Sequence, residues 1–159
     1  MDICKHNEFC GGCTFQGMPY EEQLRTKQSE VKALFREKGI EPLEFDEIEG
    51  CPSQYRYRNK MEYTFGNFEK GGELELGMHK KKNFMSVINV QECQIVNEDF
   101  NKILAYTLDF AKTRDYAFFH KRMHIGTMKN LIVRQGVRTG ELLVNIIMAD
   151  FPEFDAEAY

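Results

Sequence analysis

Three cysteines crowd the start of the chain, Cys4, Cys10 and Cys13 in the pattern Cys-x5-Cys-Gly-Gly-Cys, and a fourth, Cys93, stands far downstream in Gln-Glu-Cys-Gln. If the four act together, the amino-terminal loop must fold back onto the middle of the chain, and arrangements that keep the two apart are excluded. The beginning of the chain, Met1 to His6, is polar and has no apolar leader, and no apolar run approaches the roughly 18 residues that a membrane span requires. The expected compartment is therefore the cytoplasm, with no membrane association, and there thiols stay reduced, so a disulfide framework is disfavoured and a metal site is the better reading. Three thiolates in one loop with a remote fourth suit a cubane iron–sulfur cluster, with Gly11-Gly12 letting the backbone fold tightly so that amide N–H groups reach cluster sulfurs. A tetrahedral zinc ion takes the same four thiolates, and Cys10-x2-Cys13 has a common zinc spacing. Spacing alone leaves the two level. Cys51, before Pro52 in an acidic stretch, belongs to no such set and reads as structural; His6 could replace a ligand but more simply faces solvent or the outer surroundings of the site.

The chain has 159 residues, enough for one well-cored domain but too few for that domain plus a complete doubly wound cofactor domain. Residues 1–19 form a cysteine- and glycine-rich loop, and residues 20–159 read as one α+β domain. A first helix is expected after Pro19, with Leu24, Val31, Leu34 and Phe35 on one face and Gly39 at its carboxy-terminal cap. An acidic connection from Glu41 to Ser53 follows. From Tyr55 to Phe65 the period becomes two, with Tyr55, Tyr57, Met61, Tyr63 and Phe65 on one side and Arg56, Arg58, Lys60, Glu62 and Thr64 on the other, which predicts a half-buried strand. Gly71-Gly72 precedes the alternating Leu74, Leu76 and Met78, completing a hairpin. A third strand is expected at Phe84 to Val90. Asn97 should cap a helix reaching Ala111, with Phe100, Ile103, Leu104, Leu108 and Phe110 inward. A last hairpin joins Asn130–Gln135 to Leu142–Met148 through Arg138-Thr139-Gly140, with an apolar core face. The expected fold is mainly antiparallel sheet with both helices packed against it.

The net charge is −4, but it is unevenly placed. Counting Lys and Arg against Asp and Glu gives −5 for residues 1–50, +3 for 51–82, −3 for 83–111, +6 for 112–140 and −5 for 141–159. Two internal basic stretches thus permit a positive face on an acidic protein.

Cys4 through Gln28 spells Cys-x5-Cys-Gly-Gly-Cys-Thr-Phe-Gln-x3-Tyr-x2-Gln-Leu-x2-Lys-Gln. Three later blocks follow in order: Tyr57-Arg58-Asn59-Lys60-Met61; Leu76-Gly77-Met78-His79 with Val87 to Cys93; and Asn130 to Arg134 with Thr139-Gly140-Glu141. Together these resemble the bacterial RNA 5-methyluridine methyltransferases that carry a 4Fe–4S cluster, the enzymes of 23S rRNA and tRNA, over nearly the whole chain. The resemblance implies a 4Fe–4S cluster held by Cys4, Cys10, Cys13 and Cys93. It implies too that RNA docks on the central domain, while a carboxy-terminal Rossmann-like domain binds S-adenosylmethionine and supplies the cysteine nucleophile and the carboxylate base. That domain is expected to be absent from this chain, which has no cysteine after Cys93 and no glycine-rich strand-to-helix turn followed by an acidic ribose-binding residue. No catalytic residue and no S-adenosylmethionine contact is therefore assigned, and the chain alone is expected to be inactive.

Methylating uracil C5 in folded RNA requires an exposed or flipped base, whose unstacking must be offset by contacts to phosphates and neighbouring bases. Arg56, Arg58 and Lys60 are the expected phosphate partners, Tyr57 and Tyr63 the possible stacking surfaces. His79, Lys80, Lys81 and Lys82 form a basic turn; Lys121, Arg122, His124 and Arg134 form a weaker basic set. The cluster is expected to be structural, since methyl transfer needs no electron, and the protein is expected to be a monomer. Two rivals are an RNA-binding module with a structural metal and no catalysis, and a small electron carrier, which would have no use for the basic strand.

Overall fold

A computed structural model describes residues 3–42 and 44–159. Helix α1 (Tyr20–Glu37) is followed by strands β1 (Lys60–Gly66), β2 (Glu75–Lys80) and β3 (Asn83–Asn89), helix α2 (Glu98–Thr113), and strands β4 (Met128–Gln135) and β5 (Leu142–Met148). The five strands form one antiparallel sheet in the order β3-β2-β1-β4-β5. The α+β class, the three-stranded unit and the closing hairpin all match expectation.

Alternation along β1 places Met61, Tyr63 and Phe65 in the core, and pairing with β4 sets Tyr63 opposite Leu131 and Met61 opposite Val133, so both strands turn the same face inward. Helix α2 covers that face with Phe100, Leu104, Leu108 and Ala111, all buried. Burying a side chain the size of Phe100, Leu104 or Leu108 stabilises by about 2 kcal/mol. Asn97 caps α2 as expected, its side chain accepting from the Asp99 amide at 3.3 Å.

Four expectations need correction. Strand β1 begins at Lys60, not Tyr55. Arg56 adopts a left-handed φ of 54°, and the amides of Arg56 and Arg58 donate to Gln94 and Ile95 carbonyls, so the stretch before Lys60 is held by the segment that follows Cys93 rather than by the sheet ladder. Helix α1 runs where expected, with Gly39 just past its end at φ 66°, but it buries no residue. Val31 and Leu34 are exposed; Phe35 meets Phe45 edge-on, and the Tyr20 hydroxyl accepts from the Cys51 amide at 2.7 Å, so the acidic linker lies on α1 where the sheet was expected. On β5 only Ile146 packs against the core, while Leu142, Leu143 and Val144 stay exposed. Tyr63, considered as a stacking surface, is wholly buried.

The last ten residues, which show no periodicity, nevertheless fold onto α2. Phe154 and Tyr159 pack around Phe110, and the Tyr159 hydroxyl meets Thr107 Oγ1 at 2.8 Å. Among the described residues no helix is long and apolar enough to cross a membrane.

Candidate functional site

The four cysteines of the motif, distant in sequence, line one small cavity. Its walls include Met61 from β1, Met78 from β2, and Val90 and Ile95 from either side of Cys93. The amino-terminal loop reaches this place through short turns: the Asn7 amide donates to Cys4 O at 2.8 Å and the Cys10 amide to His6 O at 2.8 Å. The loop then adds to the end of β2, with the Gly11 amide donating to His79 O and the Lys81 amide to Phe9 O at 2.7 Å. A side chain at position 11 would place its Cβ 2.9 Å from that His79 oxygen, which is why glycine stands there. The Gly12 amide points at Cys10 Sγ, 3.3 Å away, the type of N–H to sulfur contact expected from the Gly-Gly pair.

Cys93 is fixed from behind by Asn101 of α2, whose Oδ1 accepts from the Cys93 amide and whose Nδ2 donates to the Cys93 carbonyl, both at 3.2 Å. Sequence reasoning missed Asn101. Its only signal was a polar residue one turn beyond the Asn97 cap, which reads equally as a solvated position.

Burial pushes the thiols of Cys10, Cys13 and Cys93 above their ordinary range, and neighbouring members of the same set push Cys13 and Cys93 further in that direction. His6, at the cavity wall, is lowered by burial and then by Lys5, which favours its neutral form. Arg58 also lines the cavity and favours the Cys13 thiolate. Beneath lies Tyr63, whose buried hydroxyl has no hydrogen-bond partner among the described residues; burial first, then Cys93, raises its pKa. Among those residues no set of three or more His, Cys, Asp or Glu side chains converges on a single-ion site, so the expected metal-binding loop is not shown; the four thiols line one space without forming a closed ligand set. The donors are nonetheless all sulfur, apolar side chains share the walls with His6 and Arg58, one amide is aimed at sulfur and one nearby buried hydroxyl lacks an acceptor. That chemistry fits an iron–sulfur cluster.

The expected RNA-binding residues are dispersed. Arg58 turns to the cysteines, while Arg56 lies 3.9 Å from Glu98 on a shallow open groove beside Tyr55 and Lys102. Lys60 and Arg134 are cross-strand neighbours on the sheet face away from α2, with Lys60 also 4.0 Å from Glu62. Tyr57 is 57% exposed and lines a second groove with Phe15, Tyr20 and Lys27. His79, Lys80 and Lys81 stand together at the end of β2, but the Lys80 ammonium lies over the rings of Phe9 and Phe68, and Lys81 Nζ donates to Asn7 O at 2.6 Å. Lys121, Arg122 and His124 occupy a separate turn closed by the His120 amide donating to Ile125 O.

No family model matches the chain. Among curated proteins it is 43% identical over 150 residues to an uncharacterized RNA methyltransferase of Clostridium tetani, covering 94% of this chain and 33% of the relative. A Clostridium acetobutylicum protein of the same description is 43% identical over 152 residues, and one from Caldanaerobacter subterraneus subsp. tengcongensis is 44% identical over 144, with 96% and 91% of this chain covered. Over nearly its whole length the chain is homologous to one part of these RNA methyltransferases. It spans about one third of the length of these RNA methyltransferases. Among solved structures, that of Pyrococcus abyssi tRNA (uracil-54, C5)-methyltransferase in complex with S-adenosyl-L-homocysteine superposes with a TM-score of 0.68 at 21% identity, over 91% of this chain and 33% of that one. The chain described here thus shares its fold with part of that enzyme.

Proposed function

We propose that this chain is the iron–sulfur and RNA-docking portion of an S-adenosylmethionine-dependent RNA uridine-5-methyltransferase acting in the cytoplasm on 23S rRNA or tRNA. In this reading residues 1–19 form the cluster loop, completed by Cys93, and residues 20–159 the RNA-docking domain. The observation that carries it is the meeting of Cys4, Cys10, Cys13 and Cys93 on one cavity whose loop is hydrogen-bonded to the basic end of β2, in a chain whose relatives are named RNA methyltransferases. Bound there, a 4Fe–4S cluster supplies thiolate–iron bonds that tie the two ends of a long loop and add folding free energy. The chain's own residues do the rest. Gly12 N–H and Arg58 favour the thiolates, Asn101 sets the position of Cys93, and the Tyr63 hydroxyl is a donor in want of an acceptor. Basic side chains at Arg56, Lys60, His79 and Arg134 offer phosphate contacts. The methyl-donor site and the nucleophile belong to the two thirds of the relatives' length that this chain does not span.

The test is iron and sulfide analysis with visible absorption on anaerobically prepared protein. We expect an iron–sulfur cluster that survives Cys51→Ser and is lost on replacing any of the four cavity cysteines. Stoichiometric zinc without iron would overturn the assignment.

A further inference from the structure

Between Glu75 and Glu92 the chain carries His79 and three lysines, Lys80, Lys81 and Lys82, and no acidic residue. This stretch includes the turn from β2 to β3, and just after it, at the start of β3, stand Phe84, 77% exposed, and Met85, 67% exposed. Phe84 and Met85 thus leave adjacent apolar surface in water beside lysines that have no acidic residue in the segment.

The start of β3 that carries Phe84 is well fixed. Asn83 Nδ2 donates to Ser86 Oγ at 2.9 Å and the Met85 amide donates to Asn83 Oδ1 at 3.1 Å, so Phe84 is presented by a closed polar turn. Lys82 takes a left-handed φ of 59° in the short turn between the strands, two positions before Phe84. The lysines of the run are not equivalent. Lys80 is occupied by two aromatic rings and Lys81 by Asn7, and both contacts brace the turn against the cysteine loop. Among the described residues no ion pair or hydrogen bond engages the Lys82 ammonium.

From this geometry we propose that the β2–β3 turn is a contact site for an unpaired RNA base, with Phe84 stacking on the base and Lys82 meeting the adjacent phosphate. This deepens the RNA-docking reading and rests on it. The surface chemistry selects nucleic acid: an apolar ring accepts any base face, the neighbouring positive charge accepts the backbone, and no carboxylate lies in the segment to repel it. An unpaired base is required because a paired one has no face free to meet the ring.

The chain has no tryptophan, so Phe84→Trp introduces a single fluorescent reporter. The probe is a short uridine-rich single-stranded RNA carrying a fluorophore, titrated against the whole chain prepared anaerobically, with anisotropy read over a range of salt. We expect Phe84→Trp to bind as the parent does and to lose emission as RNA saturates it. Phe84→Ala should weaken binding by about tenfold, with the salt slope unchanged. Lys82→Ala should lower the slope by about one. If the parent binds RNA while Phe84→Ala binds equally well, or while the Phe84→Trp emission is untouched, the turn faces something else and the proposal is overturned alone. If the parent chain binds no RNA at any salt, the RNA-docking reading falls as well.

Discussion

Tyr63 illustrates what a single atom can report. Its ring is wholly buried against the core, yet its hydroxyl has no partner among the described residues. A buried hydroxyl without a bond costs free energy that a phenylalanine avoids. In protein stripped of metal, Tyr63→Phe should therefore be at least as stable as the parent in denaturant melts, and a loss beyond about 1 kcal/mol would show that the hydroxyl is bonded after all. The same residue predicts behaviour in alkali. Burial, and after it Cys93, raises its pKa above that of an unfolded tyrosine, so the neutral form favours the fold and its contribution is lost as pH rises past the ordinary value of 10.0. Tyr63→Phe should flatten that alkaline loss of stability. None of this was legible in the sequence, where Tyr63 is one of four alternating aromatic residues; Tyr57 shares the alternation and is mostly exposed, because the strand begins only at Lys60. The four cysteines were legible because their chemistry is carried by residue type and spacing, whereas Asn101 became a partner only when α2 came to rest beside Cys93.

Elements with a strong period were read correctly, and errors arose where a period met no partner. The alternation of β1 and β2 and the helical stripe of α2 end in the core because each faces the others across the sheet. The stripe on α1 is as regular, but the chain after it turns back over the helix and covers Phe35 with Phe45, so the stripe meets a linker. Periodicity tells which side is apolar and is silent on what covers it. Pairing at close range leaves firmer marks. A Cβ at Gly77 would lie 1.9 Å from the Ile88 carbonyl oxygen on β3, a backbone contact that no side-chain motion relieves. Gly77→Ala should cost about 3 kcal/mol in denaturant melts by forcing β2 and β3 apart, while an alanine at Gly71, where nothing stands within 4 Å, should meet only the strain of its φ of 77°.

At the scale of the molecule, binding and chemistry are expected to separate. Adding a thiolate to uracil C6, placing a methyl donor and removing the C5 proton need three groups in one site. The cavity takes four cysteines and leaves Cys51, which is exposed on the linker beside α1. On the proposed reading the isolated chain, loaded with the proposed cluster, should therefore bind RNA and incorporate no label from radioactive S-adenosylmethionine, and incorporation would place a donor site within these residues. Strand β5 bears on how such protein behaves at the bench. Among the described residues it ends the sheet with one edge unpaired, its sequence from Leu142 to Met148 holds no charge and no proline, and its first three side chains stand in water. Such an edge is a template for the same edge of another molecule. The flanking Glu141 and Asp150 supply the nearest repulsion, so crowding and salt together should decide how concentrated a solution of this chain stays clear.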